Sequence, residues 1–197
     1  MKNCKFLTAA AMVVMALAIA TTSAAAQLNS NAPTITLNAT LPESLTVSVT
    51  AGATVNFTLA ANTAANPGST TSTIQTAWVL SPGRTQVTIW AWVANGAAAL
   101  SGGGSNIAAS QVTATAAGSG SAGGALNTSA SGGAGVPAFI TPAAATGVQI
   151  GSVAITGANK ASSTTTTLTW NINTTSTPQL PAGTYTGTVN IQAQATP

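Results

Sequence analysis

The chain predicts an all-β fold: an immunoglobulin-like antiparallel β-sandwich with long Gly/Ser/Ala-rich loops, preceded by a helical signal peptide. Two observations carry this prediction. From Pro33 onward, apolar residues recur with a period of two, and no run outside the leader has helical spacing. Short clusters of Pro, Gly, Asn and Ser punctuate the alternating runs at intervals suited to turns between antiparallel strands.

Residues 1–26 read as the leader. Lys2 and Lys5 supply a positive start, Phe6 to Ala20 is apolar and uncharged, and Ala24-Ala25-Ala26 precedes Gln27 as a small-residue cleavage pattern. The apolar stretch is short for a membrane span and ends in Thr21-Thr22-Ser23. Cys4 precedes it, so it cannot be a lipidated first mature residue. The expectation is export through the periplasm to the cell surface or medium, with no membrane anchor after cleavage. Residues 27–197 then form one domain without disulfides, of a length that can bury about 70% of its unfolded surface.

Within that domain, Ile35, Leu37, Ala39 and Leu41 alternate with Thr and Asn. Residues 34–41 suit either an ordinary edge strand A of their own domain, the simpler reading, or a donor strand for a neighbour's groove. After Pro42-Glu43-Ser44, the alternation resumes through Leu45, Val47 and Val49, then through Val55, Phe57 and Leu59. A loop at 62–71 leads to a strand at 74–80. The run 85–94 has Val87, Ile89, Ala91 and Val93 on one face and Trp90 and Trp92 on the other, so it predicts a central strand covered on both sides. The Gly/Ser/Ala-rich stretch 96–135 predicts surface loops, with weak strands at 106–107 and 111–116. Strands follow at 136–140, 148–155, 165–172 and 185–195. Outward positions are mostly Thr, Ser and Asn, and Thr keeps β propensity where charge is more usual.

The most specific local motif is Leu180-Pro181-Ala182-Gly183-Thr184-Tyr185. The spacing of Leu180, Gly183 and Tyr185 is that of a tyrosine corner, in which the hydroxyl returns to backbone a few residues upstream. The run from Leu180 to Ala193 resembles the closing strand of bacterial fimbrial and spore-coat-protein-U-like secreted subunits. That resemblance covers about the last eighteen residues. It implies an incomplete sandwich that is completed by a neighbour's N-terminal strand, with delivery by a periplasmic chaperone and an outer-membrane usher. The chain departs from such subunits in having no intradomain disulfide and no terminal aromatic residue.

Charge narrows the function classes. Beyond the leader the charged side chains are Glu43, Arg84 and Lys160, with no His, Asp or Cys. Proton transfer, metal ligation and nucleophile activation draw on those missing types, so neither an enzyme nor a cofactor is expected. Lys2 and Lys5 account for most of the +3 net charge, and two separated basic residues make no nucleic-acid surface. Glu43, Arg84 and Lys160 read as solvated turn residues. Trp78 and Trp170 read as core. Trp90 and Trp92 are the one candidate aromatic platform, for carbohydrate. Two functions fit: a structural subunit of a surface filament or coat, which associates with itself or related subunits, and a monomeric module binding carbohydrate or, through threonine ladders, ice or another surface.

Overall fold

The computed structural model describes residues 30–118, 120, 122–130, 145–177 and 179–197. The leader and the expected strand at 136–140 lie outside the described residues. The chain divides into two compact units, Met1–Thr40 and Leu41–Pro197.

In the first unit, residues 30–40 form no strand, and Ile35 and Leu37 are 85% and 89% exposed. Leu41, which opens the second unit, is 79% exposed. The reading of 34–41 as an edge strand of its own domain is therefore corrected. Its alternation is real, but no described strand pairs with it.

The second unit is a two-sheet antiparallel sandwich. The first sheet has the order β1 (Ser44–Ala51), β3 (Ser72–Val79), β11 (Ala161–Ile172), β7 (Val112–Gly118), β8 (Gly123–Ala125), with the short β2 (Asn66–Pro67) also on β11. The second has the order β12 (Asn190–Thr196), β4 (Gln86–Val93), β10 (Thr146–Ala154), β9 (Ser129–Ala130). A hairpin, β5 (Leu100–Gly102) and β6 (Ser105–Ile107), and one 3-10 turn, Ala109–Gln111, complete the described elements.

Alternation explains the packing. On β11, Thr166, Leu168, Trp170 and Ile172 are buried, while Thr165 and Thr169 face solvent. On β4, Val87, Ile89, Ala91 and Val93 point inward at 0–1% exposure, and Trp90 is covered on the opposite face. The strand is central, between β12 and β10.

The described part of the stretch 96–135 is more ordered than surface loops: β6 and β7 fall where weak strands are expected, at 106–107 and 111–116, while β5, β8 and β9 are additional. Ile107, Ala109, Val112, Ala114 and Leu126 are all in the core at 0–3% exposure. Its strand β7 pairs in register with β11, from Val112↔Ile172 to Gly118↔Thr166. Long-range pairing overrides the weak local propensity of Ala and Gly. The final strand also starts later than its alternation predicts, at Asn190 rather than Tyr185. The chain from Leu180 to Val189 is occupied by a turn and by one bridge, Thr186↔Ser101.

Candidate functional site

Strand β12 pairs with β4 along one edge only. The chain before it is tied on that same side, because Ser101 and Thr186 exchange both backbone hydrogen bonds at 2.9 and 3.0 Å. Among the described residues no strand lies along the other edge. Across the sandwich, β1 is likewise at an edge, paired among the described residues with β3 alone. Beyond it the chain turns at Gly52, with φ +62°, bends at Ala53 and Thr54, and reaches Phe57, which is bridged to Gly68.

The two edges behave differently along their length. At one end they meet: Leu45 packs with Ala193 and Ala195 over a cluster of Trp78, Leu80, Val87 and Ile155. Toward the other end they part, and an open groove of about 920 Å³ lies between them. Val49, Val55, Phe57 and Leu59 line one wall, and Val189 and Ile191 the other. The floor is the core itself, including Ile74, Val112, Trp170 and Ile172. The wall residues Val55, Phe57, Leu59, Val189 and Ile191 are only half-buried although they pack on that core. Uncovered apolar surface next to unpaired strand edges is suited to strand addition, in which backbone pairing supplies affinity and alternate side chains fill pockets.

The turn ahead of β12 closes the far end of the groove. Tyr185 donates its hydroxyl to the Pro181 carbonyl at 2.7 Å, the upstream contact that a tyrosine corner makes. Leu180 packs on the core. Gly183 lies against Gly103, where an added Cβ would come within 3.0 Å of the Gly103 Cα. Gly103 has φ +56° and would carry a Cβ 2.9 Å from the Tyr185 hydroxyl. The Ser101–Ser105 run, within the stretch expected as surface loops, is thus the tip of a hairpin that needs glycine to lie so close to the corner.

Glu43, Arg84 and Lys160 do not act as separate solvated turn residues. They converge at the end where β1 and β12 meet. The Glu43 carboxylate accepts the Ser81 backbone N–H at 2.7 Å and the Arg84 Nε and Nη2 at 3.3 Å each. Arg84 Nη1 also donates to the Ala195 carbonyl on β12 at 3.3 Å. Lys160 Nζ donates to the Pro82 carbonyl at 2.9 Å and to the Arg84 carbonyl. The Arg84 guanidinium, helped by the Ser81 N–H, lowers the Glu43 pKa from 4.5 to about 2.

Trp90 and Trp92 do not present an open platform. Trp90 is 5% exposed and packs with the fully buried Ala145, with Trp92 half-buried beside them. Trp78 and Trp170 lie in the core, at 3% and 7% exposure. Among the described residues, no three His, Cys, Asp or Glu side chains gather as metal ligands would, and no helix is long and apolar enough to cross a membrane.

Neither a protein-family model, nor a curated protein, nor a solved structure matches this chain.

Proposed function

We propose that the protein is a non-enzymatic structural subunit of a cell-surface filament or coat, assembled by strand addition between copies. One observation carries this reading: an apolar groove beside an edge of β12 that no described strand covers, in a chain that also exposes an alternating apolar arm, Ile35, Leu37, Ala39 and Leu41. An added strand would lie where an immunoglobulin-like sandwich carries its last strand, G.

Chain length favours a second copy as the source of that strand. Leu41 stands two residues before Glu43, at the end where β1 and β12 meet. Groove residues Val49 to Leu59 begin six residues further along β1, about 20 Å away at 3.4 Å per residue. An arm folded back on its own domain would set Leu41 and Ala39 against the closed end, and Ile35 would reach only the mouth of the groove. An arm from a neighbour can occupy the whole length. Such a head-to-tail contact is heterologous, and it leaves each new copy with a free arm or a free groove, the condition for an open-ended filament. The near absence of charge on the strands removes the usual deterrent to edge pairing. Secretion, and delivery by a periplasmic chaperone and usher, belong to the same reading and follow from the leader and the resemblance of the last strand.

The test is Leu37→Asp in the full chain, followed by light scattering over a concentration series. Leu37 is exposed, so the monomer should fold unchanged. The unsubstituted protein should form a ladder of oligomers and the variant should remain monomeric. A wild-type protein that is monomeric throughout, or a variant that associates equally well, would reject strand addition.

A second reading rests on the outer face of the first sheet. There Thr167 lies between Thr73 and Ala117, Thr169 beside Thr115, and Thr165 beside Gln75. This uncharged hydroxyl array would suit a polysaccharide or ice surface. Thr167→Lys should abolish co-sedimentation with either solid if that face binds it.

A further inference from the structure

The charged groups of the sandwich pose a question that strand addition by itself does not answer. Glu43, Arg84 and Lys160 are the only Asp, Glu, Lys or Arg side chains from residue 27 onward, and all three meet at one turn. The Glu43–Arg84 pair is about 40% and 36% exposed. Ion pairs this open add little to equilibrium stability. Their position along the chain is more informative than their strength.

Glu43 is the last residue before β1, and the ladder of β1 begins one residue later at Ser44↔Val79. An edge strand pulled from this end would open one pair at a time, because each bond is loaded only after its predecessor breaks. Ahead of that ladder, however, the Glu43 carboxylate is held by the Ser81 N–H and by two Arg84 nitrogens. Through Nη1, Arg84 also grips the Ala195 carbonyl on the last strand of the other sheet. Lys160, from the turn between β10 and β11, holds the Pro82 and Arg84 carbonyls and so braces the turn itself. Force entering at Leu41-Pro42 therefore meets the β3–β4 turn and both sheets before it reaches the β1 ladder.

We infer that the Glu43–Arg84 pair is the mechanical anchor of the N-terminal arm, passing tension from an arm held by a neighbouring subunit into both sheets and shielding β1 from being peeled. The inference rests on the strand-addition reading, since only a captured arm comes under tension. Arg84 is a positioning residue here, and the groove does not require it for recognition of a donor strand.

Single-molecule pulling on one full chain tests this without any assembly, so its outcome is independent of whether copies polymerise. With Cys4→Ser, handles at Asn31→Cys and Asn127→Cys load the arm. Handles at Ala61→Cys and Asn127→Cys load the sandwich without passing through Glu43. Glu43→Gln and Arg84→Gln should shorten the lifetime at constant load several-fold in the first geometry and leave it unchanged in the second. Raised ionic strength should do the same to the unsubstituted chain, because an exposed pair is screened. Equal lifetimes in the first geometry, or equal shortening in both, would overturn the inference, the latter by reducing the pair to ordinary stability.

Discussion

Trp170 and Ser72 meet at the floor of the groove, where the indole Nε1 donates to the Ser72 hydroxyl at 2.9 Å. That hydroxyl in turn donates to the Gly52 carbonyl at 2.7 Å. The relay runs from β11 across β3 to the chain just beyond β1, and it fixes the groove wall to the core at the point where the wall leaves its ladder. Ser72 and Trp170 are 6% and 7% exposed, so losing the hydroxyl strands a buried N–H. Ser72→Ala should lower stability by about 1–3 kcal/mol, the cost of an unsatisfied buried group. Urea denaturation followed by tryptophan fluorescence should give a lower midpoint with an unchanged slope.

At the other end of the groove, Tyr185 bonds Pro181 and faces Gly103. Tyr185→Phe keeps the ring and removes one hydrogen bond, so it should cost about 1 kcal/mol. Gly103→Ala should cost about as much or more, through its positive φ and the crowding of the same hydroxyl. Combining the two should cost less than the sum, because the Phe variant removes the atom that the new methyl would strike. An unchanged denaturation midpoint for Tyr185→Phe would show that the Pro181 contact adds nothing to the turn.

Two core threonines point the other way. Thr76 and Thr166 are 0% and 1% exposed, and their hydroxyls have no hydrogen-bond partner among the described residues. Both face inward from neighbouring strands of the first sheet, where the pattern otherwise places Ile, Leu and Trp. Valine has nearly the same shape and hides no polar atom. Thr166→Val should therefore raise stability by about 1 kcal/mol, read as a higher midpoint in urea. A fall would mean that the hydroxyl finds a partner in solution.

Sequence made the strongly alternating strands legible, and it did so for a physical reason. In β3, β4 and β11 most inward side chains are large and apolar or β-branched, so period two is visible locally. Strand β7 was only faintly legible, because Ala114 and Ala116 carry little local signal and its place is set by pairing with Trp170 and Thr169 on a strand far along the chain. The groove lies still further from local reading. It depends on an edge of β12 that no described strand covers, and such an edge leaves no mark in the residues of β12 itself. The alternation at 34–41 and the resemblance of the closing strand are what point toward it in the sequence. The meeting of Glu43, Arg84 and Lys160 was missed although each falls beside a turn. The usable signal was that antiparallel order can bring the turns before β1, between β3 and β4, and between β10 and β11 to one end of the sandwich.

That meeting gives the pH dependence a definite sign. Glu43 is the sole side-chain carboxylate, and its pKa falls from 4.5 to about 2 on folding, chiefly through the Arg84 hydrogen bond and then the Ser81 N–H. A lowered carboxylate pKa means that the unfolded chain binds the proton more readily. The stabilisation is therefore fully present above about pH 4.5 and is lost as pH falls toward about 2. From pH 5 to 9 the melting temperature should be nearly flat, and below that window it should decline. The decline should be small and should shrink further in high salt, because the pair is exposed. Glu43→Gln removes the titrating group and should flatten the acid limb while leaving the neutral plateau close to wild type. Calorimetric scans of both proteins between pH 2 and pH 7 would check this. An acid limb that survived in Glu43→Gln would assign the pH dependence to a group other than this carboxylate.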